Sequence, residues 1–196
     1  MNRSVPDAAQ KRKDWNGLIS GFKASDLVFL DESGCNTDMT RRYAYSLGGS
    51  RSVDSAPLSK PKNTTILSSI QLDGTLRYTT FSGGTTVERF KRYLETDLLP
   101  HLNGNSVLIM DNMKSHHAKA VKNLLDSSGV RYIYLPPYSP DLNPIEKLWS
   151  KVKSFLRKFK ARTLDALPNA IQCAFQIVSP SDCSGWFHSC GYSPYF

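Results

Sequence analysis

The chain has 196 residues, 40% hydrophobic and 21% charged, and its 25 Lys and Arg outnumber 17 Asp and Glu to give a formal net charge of +8. That length suits one domain with a buried core and is short for two, and the composition excludes a fully disordered or collagen-like chain. The cationic excess favours a polyanionic partner, nucleic acid first among them.

No apolar run approaches the roughly 18 residues of a membrane helix. The opening MNRSVPDAAQKRKDW has no apolar stretch that could serve as a signal peptide. The expected location is the cytoplasm, with no membrane partner. Cys35, Cys173, Cys183 and Cys190 lack CxxC spacing, and Cys183, His188 and Cys190 do not match ordinary zinc spacing, so reduced packing thiols are expected.

Residues 1–25 carry a basic knot, Lys11-Arg12-Lys13, and apolar Trp15, Leu18, Ile19 and Phe22, which predict a short amphipathic helix or a docked linker. Leu27-Val28-Phe29-Leu30 predicts a buried first strand that delivers Asp31-Glu32-Ser33-Gly34 into a turn. Residues 41–52 are aromatic and basic, and 54–63 read as a polar loop. Asp73-Gly74 predicts a hairpin of 64–72 with 75–81. A helix over 86–99 follows, capped by Thr85 or Thr86 and closed by Pro100. Residues 106–110 are a second buried strand ending in Asp111-Asn112, 114–126 a helix stopped by Gly129, and 130–135 a further strand. This alternation predicts an α/β domain with a partly parallel sheet.

Asp31 and Asp111 each follow an apolar run directly. On neighbouring parallel strands both emerge at the carboxyl edge, where open α/β sheets bind ligands. Glu146 is a third acid, with 34 residues (112–145) between it and Asp111. Converging carboxylates suit hard cations such as Mg²⁺, and two such ions support in-line displacement at phosphorus. The predicted chemistry is phosphodiester cleavage or transfer. Each acid also has a plainer reading. Asp31 can be a loop carboxylate or yield its place to Glu32 or Asp38, and Asp111-Asn112 can start a turn or cap a helix. Glu146 can close a capping box, with Asn143 as N-cap and Pro144 first in the helix.

After Pro144, the residues Ile145, Leu148, Trp149, Val152, Phe155, Leu156 and Phe159 form an apolar helix face. Residues 147–162 hold seven basic side chains and no acid, and Lys147, Lys151, Lys153, Arg157 and Lys158 are the candidate DNA contacts. Glu146, Ser150, Lys153 and Arg157 share one helical stripe, so a phosphate backbone passing a metal at Glu146 meets the two cations next. A solvated basic face is the plainer alternative. Asn112, His116, His117 and Asn143 are candidate accessory residues, against an ordinary packed or exposed role for the histidines. No Ser-His-Asp grouping, P-loop or GxGxxG is present.

LVFLDESG, VLIMDNMKSHH and above all YLPPYSPDLNPIEKLWSKVK closely resemble the catalytic domain of DDE transposases of the mariner superfamily, in its bacterial insertion-sequence branch, over about residues 25–192. The resemblance implies an RNase H-like fold, a mixed five-stranded sheet flanked by helices. It implies Asp31, Asp111 and Glu146 as the metal-binding catalytic triad, Asp31 bridging two Mg²⁺ ions for which Mn²⁺ can substitute. The implied activity is cutting DNA at transposon ends and joining it to target DNA, usually at TA, by a homodimer in the bacterial cytoplasm, associated with the nucleoid. The third acid is Glu here, where the mariner branch proper has Asp. Relatives carry paired helix-turn-helix modules ahead of this domain, while here residues 1–25 precede the first strand. The expectation is a basic linker or docking helix over 1–25, a catalytic domain over 26–196 closed by a C-terminal helix and the ending WFHSCGY, and a separately encoded N-terminal DNA-binding segment. The alternative function is a catalytically silent, truncated DNA-binding transposase acting as a regulator, or a decayed copy.

Overall fold

The computed structural model describes residues 5–41, 43–55 and 61–192. A five-stranded sheet has the order β3-β2-β1-β4-β5. Its strands are β1 (Leu27–Asn36), β2 (Asn63–Gln71), β3 (Leu76–Ser82), β4 (Val107–Met110) and β5 (Arg131–Tyr134). The first three pair antiparallel, and β4 and β5 add parallel to β1 on its other side. The β2–β3 hairpin forms where Asp73-Gly74 predicts it, with Gly74 at φ 91° and the Asp73 carboxylate accepting from the Thr75 N–H at 2.8 Å.

Helices α1 (Val5–Ile19), α2 (Val87–Tyr93), α3 (Lys119–Ser128), α4 (Ile145–Phe159), α5 (Ala166–Gln176) and α6 (Pro180–Ser189) surround the sheet. Phe29, Ile66 and Ile109 face a core shared with α4, α5, α6 and Trp15 of α1. Val28, Leu30, Leu108 and Met110 face a second core against α2 and α3. Both sides are covered, as a sheet with a parallel half requires, and β4 is buried throughout.

Several boundaries differ from the sequence expectation. The first strand does not turn at Asp31; β2 is long enough to pair with it as far as Asn36. The helix expected from residue 114 starts only at Lys119, because a turn first folds His116 back over Asp111, and it stops at Gly129 in the left-handed region (φ 71°) as expected. The helix expected over 86–99 passes from α2 into a π turn at Leu94–Leu98 and a 3-10 turn that contains Pro100; its N-cap is Thr86. The C-terminal part is two helices, since Pro180 and a Ser179–Asp182 capping box begin α6 afresh. Residues 37–41 and 43–55 are irregular apart from a 3-10 turn at Leu47–Gly49; of the polar loop expected over 54–63, residues 56–60 lie outside the described set. The four cysteines are free thiols, and among the described residues no helix is long and apolar enough to cross a membrane.

Candidate active site

Pairing of β1 with β4 ends at Leu30 opposite Met110, although β1 itself continues along β2. Asp31 and Asp111 are therefore the next residues on two adjacent parallel chains. They lie at the carboxyl edge, as the sequence predicts, but Asp31 sits inside a strand. Glu146, in the first turn of α4, lines the same cavity of about 600 Å³.

Asp31 is buried, its Oδ1 accepting from the Glu32 N–H at 2.7 Å and its Oδ2 from the Trp149 indole at 3.1 Å. Burial pushes its carboxyl up to about 7, helped by the charges of Asp111 and Glu32 and opposed by those two hydrogen bonds. Asp111 is only part-buried. Its Oδ1 accepts from the Met113 N–H at 2.9 Å and pairs with His116 Nδ1 at 2.9 Å. Burial would raise its pKa, but the hydrogen bonds from His116 and Met113 outweigh that and hold it below the usual range.

Glu146 is exposed, and the capping box that competes for it does not form. The α4 N-terminus has no side-chain cap, and Asn143 Oδ1 is buried without a hydrogen-bond partner beside the cavity. The Glu146 carboxylate is thus left to the cavity. Among the described residues no three His, Cys, Asp or Glu side chains are gathered closely enough to enclose one ion, so the acids share a cavity without closing on a point.

The candidate accessory residues divide. Asn112 donates through Nδ2 to the Leu135 carbonyl at 2.6 Å, tying the end of β4 to the loop after β5. His117 is exposed, stacks on Tyr134 at 4.1 Å between centroids, and meets Asn112 Oδ1 at 3.3 Å. His116 is fully buried between Asp111 and Glu32 and stacked on Phe90 at 4.2 Å. Sequence reasoning missed the pairing of His116 with Glu32, and Trp149 as a donor to Asp31. The available signals were strand alternation, which turns Glu32 to the face opposite Asp31, and the rule that a buried indole N–H finds an acceptor.

The basic residues of α4 do not form one patch. Lys153 and Arg157 border a cavity with Gly34, Cys35 and Asn36 of β1, whereas Lys147, Lys151 and Lys158 border a groove against α6. Lys151 is engaged there by Asp182 at 2.5 Å. Phe159, counted in the apolar face from sequence, is 46% exposed at the helix end.

The chain belongs to the DDE superfamily endonucleases, whose family model matches residues 26–168. Over 97 residues it is 28% identical to the Transposable element Tc1 transposase of Caenorhabditis elegans, an overlap of 47% of this chain and 36% of that protein. Its fold matches the Mos1 chain in a pre-cleavage transpososome with a TM-score of 0.79 at 19% identity, over 96% of this chain and 62% of that one. It also matches the Mos1 transposase catalytic domain, solved with raltegravir and Mg, with a TM-score of 0.68 at 15% identity, covering 96% and 91%. The fold is RNase H-like, as the mixed sheet order indicates. The chain spans about a third of the Tc1 transposase and less than two thirds of the Mos1 chain.

Proposed function

We propose that this chain is the catalytic part of a transposase of the bacterial insertion-sequence branch, a divalent-metal-dependent DNA endonuclease and strand transferase acting at transposon ends. The observation that carries the reading is that Asp31 and Asp111 each directly follow the last paired residue of the parallel β1–β4 ladder, with Glu146 on the same cavity. The donor set fits the metal. A carboxylate whose burial raises its pKa to about 7 beside a second carboxylate is relieved by a cation, and the unpartnered Asn143 Oδ1 adds an oxygen at the rim. Asp31, Asp111 and Glu146 would hold two Mg²⁺, or Mn²⁺ in its place, which when bound activate the attacking oxygen and stabilise the leaving one in an in-line displacement.

The chain's own residues supply the positioning. Glu32 N–H and Trp149 fix Asp31, the Asp111 turn is held by Met113 and His116, and Glu146, free of any capping bond, can swing toward the other two. Lys153 and Arg157 lie roughly 10 and 16 Å along α4 from Glu146 and suit successive phosphates. Glu as third acid supports the insertion-sequence branch. The partners of this reading are transposon-end DNA, a TA target, a separately encoded DNA-binding segment and a second copy of the chain, in the cytoplasm at the nucleoid. Exposed Tyr43, Tyr45, Leu47 and Val53 on the irregular segment support a docked partner.

Plasmid nicking and oligonucleotide joining with Mg²⁺ or Mn²⁺ test this, comparing the chain with Glu146→Gln. The expected result is loss of both steps by at least about 100-fold with DNA binding retained. A wild-type chain that binds DNA but cuts and joins nothing with either metal would instead support a silent DNA-binding truncation.

A further inference from the structure

Glu32 and His116 lie behind the carboxylate edge, on the α2–α3 side of the sheet. Strand alternation puts Asp31 with Phe29 on the α4 side and Glu32 with Leu30 on the other. His116 has no exposed side-chain surface and Glu32 only 6%. The imidazole uses both nitrogens: Nε2 meets Glu32 Oε1 at 3.2 Å, and Nδ1 meets Asp111 Oδ1 at 2.9 Å and the Asp111 carbonyl at 3.3 Å. Its plane is set by Phe90, stacked at 4.2 Å, and its backbone by the Tyr134 hydroxyl, which donates to the His116 carbonyl at 3.0 Å.

Burying an acid and an imidazole is costly, and a similar pair of apolar side chains would fill the space at less expense. The observed geometry achieves something an apolar pair cannot: it occupies one particular oxygen of Asp111. With His116 Nδ1 and the Met113 N–H both on Oδ1, the carboxylate cannot rotate without breaking both bonds, and Oδ2 remains for the cavity.

We propose that Glu32 and His116 are a positioning pair, in which Glu32 orients the imidazole and the imidazole locks Asp111 so that it offers a metal a single preset oxygen. Neither residue touches the metal or the DNA. The arrangement follows the rule that groups hydrogen-bonded to a metal ligand fix its orientation and share in its affinity. It rests on the metal site proposed above.

The test is Mn²⁺ affinity of the purified chain, read without DNA from the electron paramagnetic resonance of free Mn²⁺, alongside thermal unfolding. His116→Leu keeps an apolar contact for Phe90 and removes both hydrogen bonds; the expected result is an affinity about 10- to 100-fold weaker. His116→Asn can place an amide N–H where Nδ1 was, and is expected to recover most of that loss. Glu32→Gln keeps an acceptor but drops the charge, and is expected to fall between wild type and His116→Leu. A folded His116→Leu with wild-type affinity overturns the proposal. If His116→Leu does not fold, wild-type affinity in Glu32→Gln overturns it, and weakened affinity in a stably folded Glu32→Gln supports it. The metal-site reading fails separately: its failure is a wild type whose Mn²⁺ binding is unchanged by Asp31→Asn.

Discussion

Asp31 carries the sharpest physical tension in the molecule, since it is buried, next to Asp111, and supported by only two hydrogen bonds. In the folded, metal-free chain it keeps its proton to about pH 7, while the unfolded chain releases it near 3.8. The unfolded state therefore binds fewer protons over that interval, and metal-free stability falls as pH rises from about 4 to 7, by roughly 4 kcal/mol at about 1.4 kcal/mol per pKa unit. Metal reverses that cost only where the proton is already gone. The Mg²⁺-induced rise in melting temperature is thus expected to be larger at pH 8 than at pH 5, and thermal unfolding at the two values with and without Mg²⁺ checks it; an equal shift contradicts it. The positions of Asp31 and Asp111 were legible because each ends an apolar run. Proximity of His116 to Asp111 was legible too, five residues on, but the Trp149 donor to Asp31 and the pairing of His116 with Glu32 were not, because they arise through strand register and helix docking that no local spacing records.

The hairpin and α4 show what local signals can and cannot give. Asp73-Gly74 names its own turn, yet its neighbour comes from far along the chain: a Cβ on Gly74 would stand 2.9 Å from the Pro180 backbone at the start of α6. Gly74→Ala is expected to cost about 1–3 kcal/mol, from a left-handed backbone that Ala disfavours and from displacement of α6, read as a lower denaturant midpoint. A wild-type midpoint would contradict that close approach. For α4, Asn143, Pro144 and Glu146 fit a capping box by spacing, and the structure forms none. The turn before it is held instead from elsewhere, by an ion pair of Arg12 with Asp141 and by a chain from the Trp15 indole to the Tyr192 hydroxyl (3.2 Å) and on to the Leu142 carbonyl (2.6 Å). Such contacts join residues at both ends of the chain and are invisible to a local reading. The early end expected for β1 and the early start expected for α3 failed for the same reason, since a strand's length depends on its partner and a turn on what its side chains must reach.

Across the whole molecule, the alternating pattern of apolar runs and helical faces was enough to expect a partly parallel α/β sheet, and the family motifs specified its mixed five-stranded form. What they could not show is the division of the basic surface between two sides of α4. If Lys153 and Arg157 contact phosphates, replacing both with Glu weakens DNA binding at every sequence and lowers the slope of log affinity against log salt by about 0.9 for each phosphate no longer neutralised. Salt titration of binding measures this, and an unchanged slope would assign the phosphate-binding role to other residues. The functional reading depends on the three acids acting together on metal. The most direct test is anomalous diffraction from crystals of the chain soaked in Mn²⁺. Mn²⁺ is expected between Asp31 and the Oδ2 side of Asp111, with the Glu146 carboxylate drawn in as a further ligand. Mn²⁺ bound only elsewhere, with Asp31 and Asp111 bare, would contradict the three-acid metal site.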